Sequence, residues 1–146
     1  MKIKVAWVGK TKEAAIQSLT DEYVKRISRY AEVEGVALKD EAGILALAGV
    51  GRGGRKCRLV LLDARGKQFS SEEFAAWLDR EQVNAVPLVF GIGGSDGFSE
   101  TVRREAAMVL SLGKMTLPHE LARVVAVEQI YRALTILKGH PYHCGH

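Results

Sequence analysis

Two short, continuous apolar runs constrain this chain most. They are Cys57 to Leu62 (CRLVLL) and Val86 to Ile92 (VPLVFGI). A strand without polar alternation is buried on both faces, which in a small domain means the centre of a mostly parallel sheet covered by helices. Pro87 is tolerable near the start of the second run. The segments around these runs alternate in period. Lys2 to Val8 alternates polar and apolar and reads as a strand, and Val33 to Leu38 reads as another. Thr11 to Tyr30 places Ile16, Leu19, Tyr23, Ile27 and Tyr30 at spacings of three and four, one stripe of an amphipathic helix.

A short helix, Glu41 to Ala48, is expected to end at Gly49. Asp63-Ala64-Arg65-Gly66 is expected to turn the chain. Ser70 with Glu73 fits a capping box ahead of a helix from Ser71 to Arg80. Ser99 is the expected N-cap of a helix reaching about Val109, and Met115 to Leu117 is expected as a last short strand. A long helix, His119 to Lys138, is stopped by Gly139 and Pro141. The alternation predicts an α/β sandwich, and 146 residues make one domain.

Composition excludes several classes. A 47% hydrophobic and 26% charged chain is not disordered. No apolar run reaches the roughly 18 residues of a membrane span, and Lys4 interrupts the N-terminal apolar stretch, so no membrane partner or secretory signal is expected. Cys57 and Cys144 are too few for a disulfide framework, and the cytoplasm is the expected location. His140, His143, Cys144 and His146 crowd the C-terminus, but without a second Cys/His pair no metal site is expected. The net charge of +4 is unevenly spread. Arg52, Arg55, Lys56, Arg58, Arg65 and Lys67 face only Asp63 between residues 51 and 67. Such a block marks a phosphate-rich partner or a solvated loop.

Ligands of open parallel sheets bind beyond the carboxyl ends of the strands. Three such ends carry suitable groups: Leu62-Asp63, Gly91 to Gly97 (GIGGSDG), and Ser111 to Pro118. The glycines of the second admit close approach of a ligand to the backbone, although a tight turn alone would also call for them. The absence of Gly-Lys-Ser/Thr excludes a nucleoside triphosphate P-loop. Gly91, Gly93 and Gly97 match a relaxed dinucleotide pattern, so an NAD-type oxidoreductase stays as one alternative. A non-enzymatic basic RNA-binding module is the other.

Three segments together are more specific: LLDARGKQFSSEEFA, VFGIGGSDGFS and SLGKMTLPHELARVVAVEQIYRALTILKGHPYH. With them the chain resembles the RlmH (YbeA-like) family of SPOUT RNA methyltransferases over nearly its whole length. The resemblance implies an α/β domain whose C-terminal segment threads a trefoil knot. It implies S-adenosylmethionine as cofactor, held by Leu62, Gly94, Gly113, Lys114, Met115, Thr116, Leu117 and Pro118. It further implies a homodimer acting on 23S ribosomal RNA within the ribosome, at N3 of a pseudouridine.

N3 is a weak acid whose proton must be removed or whose anion must be stabilised. His143 is then the candidate base, because an imidazole titrates near neutrality. Tyr142 is a candidate to contact the target base, and Arg132, at a helical position facing the tail, to neutralise charge. His119 either orients the cofactor loop or is simply a residue at the start of a helix. Arg52, Arg55, Lys56, Arg103 and Arg104 are the expected RNA contacts. The long helix is apolar nearly all round, through Ala122, Val124, Ala126, Val127 and Ile130, and such a helix requires a second surface to bury it.

Overall fold

The computed structural model describes residues 1–51 and 57–144. Arg52, Arg55 and Lys56 lie outside the described residues. Five strands, β1 (Lys2–Val8), β2 (Glu32–Leu38), β3 (Arg58–Gln68), β4 (Leu88–Ile92) and β5 (Met108–Ser111), alternate with five helices. The helices are α1 (Ala14–Ile27), α2 (Glu41–Ala48), α3 (Ser71–Val83), α4 (Glu100–Glu105) and α5 (His119–Leu137). Every strand pairing is parallel, in the order β2-β1-β4-β3-β5.

The two-residue period of the strands divides the core into two layers. Ile3, Val5 and Trp7 of β1, Val60 of β3 and Leu88, Phe90 and Ile92 of β4 face one side. They pack there on Ile27 of α1, Phe74 and Leu78 of α3, and Val127, Ile130 and Leu134 of α5. Ala6, Leu59, Leu61 and Val89 face the other side and meet Ile44 and Ala48 of α2 with Val102 of α4. β4 is buried along its whole length, which is why its sequence shows no alternation.

The ends of the elements carry the expected signals. Ser70 and Glu73 close a capping box, α2 ends on a left-handed Gly49 (φ 77°), and Ser99 accepts the amide of Val102. Three expectations are corrected. Asp63–Gly66 does not reverse the chain. It is an irregularity inside β3, after which Lys67 and Gln68 pair with Leu110 and Ser111 of β5. Gly66 is required there, because a Cβ at this position would stand 2.5 Å from the Val109 carbonyl oxygen. The last strand is β5 at Met108–Ser111, not Met115 to Leu117, and α4 ends at Glu105 instead of reaching Val109. Residues 108–111 are apolar enough to pair at the edge of β3, whereas 115–117 lie in the loop that leads to α5.

The apolarity of α5 finds its partners within the chain. α1, α3 and the sheet cover Ala126, Val127, Ile130, Ala133 and Leu134. That apolarity therefore does not by itself call for a second copy.

Candidate active site

β4, β3 and β5 are adjacent and parallel, so their carboxyl ends open on one side of the sheet. The loops that follow them enclose a cavity of about 290 Å³. This is near the lower end of the range that holds small ligands. Six of the eight expected cofactor residues line it: Leu62, Gly94, Gly113, Met115, Thr116 and Leu117. Lys114 and Pro118 do not. Lys114 is exposed, and Pro118 is the N-cap of α5, its carbonyl accepting the amide of Ala122 at 2.9 Å. His119, in the first turn of α5, lines the cavity as well.

Charged side chains of both signs line the cavity. Asp63 and Asp96 are among them, and Arg65 turns back on Asp63. Asp63 accepts from Arg65 Nε at 2.9 Å and Nη2 at 2.7 Å, and also from the Arg65 amide at 3.0 Å. The Arg65 hydrogen bond holds the Asp63 carboxyl down at about 2, against the opposing effect of burial. Arg65 Nη2 and Arg103 Nη1 both donate to the Phe98 carbonyl, at 3.0 and 2.7 Å. These bonds tie the glycine loop to β3 and α4. Arg103 is thus bonded to the chain, while Arg104 reaches solvent beside Glu100 at 2.8 Å.

S-adenosylmethionine fits this lining. Leu62, Met115 and Leu117 offer apolar surface to an adenine ring, and a sulfonium cation is compatible with two carboxylates. A Cβ at Gly113 (φ 143°) would meet nothing within 4 Å and would project into open space, and one at Gly94 would meet only Val8, at 3.7 Å. The glycines therefore leave room where a bent cofactor needs it.

The remaining expected residues form a second cluster. Arg132 Nη1 lies 2.9 Å from His143 Nδ1, and His143 Nε2 lies 2.7 Å from Glu72 of α3. Arg132 is anchored from behind by Glu128, Nε to Oε1 at 2.9 Å. A guanidinium only donates, so Nδ1 accepts and Nε2 carries the hydrogen given to Glu72. Tyr142 lies under the Arg132 guanidinium, 4.9 Å from its carbon to the ring centroid, with its hydroxyl 3.3 Å from that of Tyr23. Burial pushes the Tyr142 phenol up to about 12, so it remains a neutral donor.

Comparison with known proteins decides the family. A family model described as "Predicted SPOUT methyltransferase" matches residues 1–143. The chain belongs to the SPOUT methyltransferase family. A protein of Koribacter versatilis named ribosomal RNA large subunit methyltransferase H is 55% identical, over all of both chains. One of the same name from Geobacter sulfurreducens is 46% identical, over 98% of this chain and 99% of its own. A solved SpoU methyltransferase, AviRb of Streptomyces viridochromogenes in complex with AdoMet, shares the fold at a TM-score of 0.55 and 14% identity. That match covers 94% of this chain and 58% of the other. A probable methylase family protein from Haemophilus influenzae also matches, at a TM-score of 0.55 and 13% identity, over 97% of this chain and 68% of the other.

For this SPOUT chain, the sequence separates into what the structure brings together and what it does not. His143, Tyr142 and Arg132 meet, as the helical position of Arg132 implies. His119 stands apart from them, since from His119 to Arg132 the helix rises about 20 Å. Asp63, at one of the three expected strand ends, lines the cavity beside Arg65 of the basic block, whereas nothing in the sequence marks Glu72. Glu72 looks like an ordinary acid in the first turn of a helix, and only the docking of the tail sets it beside His143. No helix among the described residues is long and apolar enough to cross a membrane.

Proposed function

We propose that this chain transfers a methyl group from S-adenosylmethionine to N3 of a pseudouridine in 23S ribosomal RNA, within the ribosome and in the cytoplasm. The observation that carries this is full-length identity of up to 55% to proteins named for large-subunit rRNA methylation. The cavity beside Leu62, Gly94 and Gly113 supports the choice of cofactor.

The cofactor supplies a methyl group already activated on a sulfonium, so the protein's task is alignment and charge. Leu62, Met115 and Leu117 would hold the adenine, and the backbone of Gly94 and 113–117 would offer hydrogen bonds to its edge. Lys114 and Pro118 act on the outer side of that loop, Lys114 in solvent and Pro118 by starting α5. His119 orients the loop at the base of the cavity. His143 removes the N3 proton, Arg132 neutralises the charge that develops on the base, and Tyr142 donates a hydrogen bond to it. Arg52, Arg55, Lys56, Arg103 and Arg104 bind phosphates.

The working unit is a homodimer in which the tail cluster of one subunit closes on the cavity of the other. Two features support this. Arg132 stands about 20 Å along α5 from the cavity residue His119. An apolar side chain of the cavity lining remains open, Met115 at 87% exposure. The knotted threading of the C-terminal segment belongs to the same reading.

Mass spectrometry of 23S rRNA from cells lacking the gene tests the assignment. Loss of one N3-methylated pseudouridine, restored by the gene, is expected, and an unchanged modification would remove the assignment. Isothermal titration adds a discriminating arm, with binding of S-adenosylmethionine expected and binding of NAD alone contradicting it.

A further inference from the structure

The tail cluster contains an acid that the proposed chemistry has not used. Glu72 is the second residue of α3 and is 65% exposed at its side chain, yet its Oε1 sits 2.7 Å from His143 Nε2. Arg132 Nη1 occupies the opposite ring nitrogen at 2.9 Å. The charged and titratable groups around this ring are Glu72 from α3, Glu128 and Arg132 from α5, Tyr23 from α1, and Tyr142 beside it in the tail. Glu72 and Arg132 are the two among them that bond the imidazole.

We propose that Glu72 is a positioning residue for the methyl transfer, fixing His143 in the tautomer that leaves Nδ1 as the proton acceptor. This rests on His143 being the base. A carboxylate only accepts, so Glu72 holds the ring hydrogen on Nε2 and leaves the lone pair on Nδ1. A carboxylate that orients an imidazole and stabilises the imidazolium formed on it is the logic of a catalytic triad. The His143 hydrogen bond is also the largest influence keeping the Glu72 carboxyl below its ordinary range, so Glu72 stays anionic.

Arg132 guards the lone pair until the base arrives. Glu128 grips the guanidinium through Nε, which leaves Nη1 as the arm facing His143. When the target base arrives, Nη1 turns to a carbonyl oxygen flanking N3. His143 Nδ1 takes the N3 proton as the nitrogen's electron pair bonds the methyl carbon and the carbon–sulfur pair returns to sulfur. The imidazolium then donates Nε2–H to Glu72 and later loses the Nδ1 proton to water.

Glu72→Gln tests this, because a neutral amide cannot stabilise the imidazolium that forms on His143 once Arg132 has turned to the substrate. Turnover with saturating S-adenosylmethionine and ribosomes from a strain lacking the gene should fall about a hundredfold or more. Affinity for S-adenosylmethionine should not change, since Glu72 does not line the cofactor cavity. ¹⁵N NMR of the His143 ring should show the hydrogen on Nε2 in the wild type and still there in Arg132→Ala, where Glu72 alone holds the tautomer. Wild-type turnover in Glu72→Gln, or a ring hydrogen found on Nδ1 in Arg132→Ala, would overturn the proposal. His143→Ala separates the layers. If it retains wild-type turnover, the base assignment itself fails. If it is inactive while Glu72→Gln is not, only the role of Glu72 fails.

Discussion

Gly66 and Gly91 differ in what an added methyl group would strike, and the difference sets their cost. A Cβ at Gly66 would stand 2.5 Å from the Val109 carbonyl oxygen and 2.8 Å from the Leu110 amide nitrogen, both backbone atoms in the β3–β5 pairing. A Cβ at Gly91 would meet side-chain methyls, Leu61 Cδ2 at 2.9 Å and Ile44 Cγ2 at 3.1 Å, which can shift. Gly66→Ala should therefore cost about 3 kcal/mol or more and Gly91→Ala about 1–2 kcal/mol, read by urea denaturation. Asp63 gives a pH signature. Its carboxyl falls from an ordinary value near 3.8 to about 2, so its contribution is fully present above pH 4 and is lost as pH falls toward 2. Asp63→Asn should be about 1–2 kcal/mol less stable than wild type at pH 7, with the difference vanishing near pH 2 in thermal unfolding. The place of Asp63 and Gly66 inside a continuing strand was not legible from sequence. Asp-x-Arg-Gly reads as a reverse turn, and only the pairing of Lys67 with Leu110 shows that the strand resumes beyond it.

Elements whose signals are local were readable, and those fixed by distant partners were not. Ser70 with Glu73, Gly49 after Ala48, and Ser99 mark helix ends through bonds within a few residues, and each stands where the sequence places it. Ser70→Ala should lose about 1 kcal/mol in denaturant unfolding. Because Glu72 sits in the turn that Ser70 caps, the same change should also lower turnover modestly in the methylation assay. β5 is the contrary case. Four residues carry too little pattern to be told from a helix end, and the neighbouring β3 decides their state. The start of α1 is another. It has no side-chain cap of its own, and Glu120 of α5 accepts the amides of Lys12 and Glu13 at 2.7 and 3.3 Å from across the fold. Periodicity places Leu19 on the buried stripe of α1, yet Leu19 is 45% exposed while Thr20 is buried.

At the scale of the molecule, the cofactor cavity and the tail cluster share one helix without sharing one place. The cavity was legible as three strand ends, because parallel sheets collect ligands there. The tail cluster was legible only in part, because Glu72 acquires its role from the docking of His143. A dimer that closes one tail over the other cavity joins them. Light scattering at micromolar concentration should give twice the 16.0 kDa chain mass, and a stable monomer would count against that arrangement. Binding to ribosomal RNA should weaken steeply between low and high salt, as phosphate contacts by arginine and lysine require. The central claim is the reaction itself. Purified protein, S-adenosylmethionine and ribosomes from a strain lacking the gene should yield 23S rRNA with one added methyl group, which mass spectrometry places on N3 of a pseudouridine. RRNA that gains no methyl group, or gains it at another atom, would contradict the account.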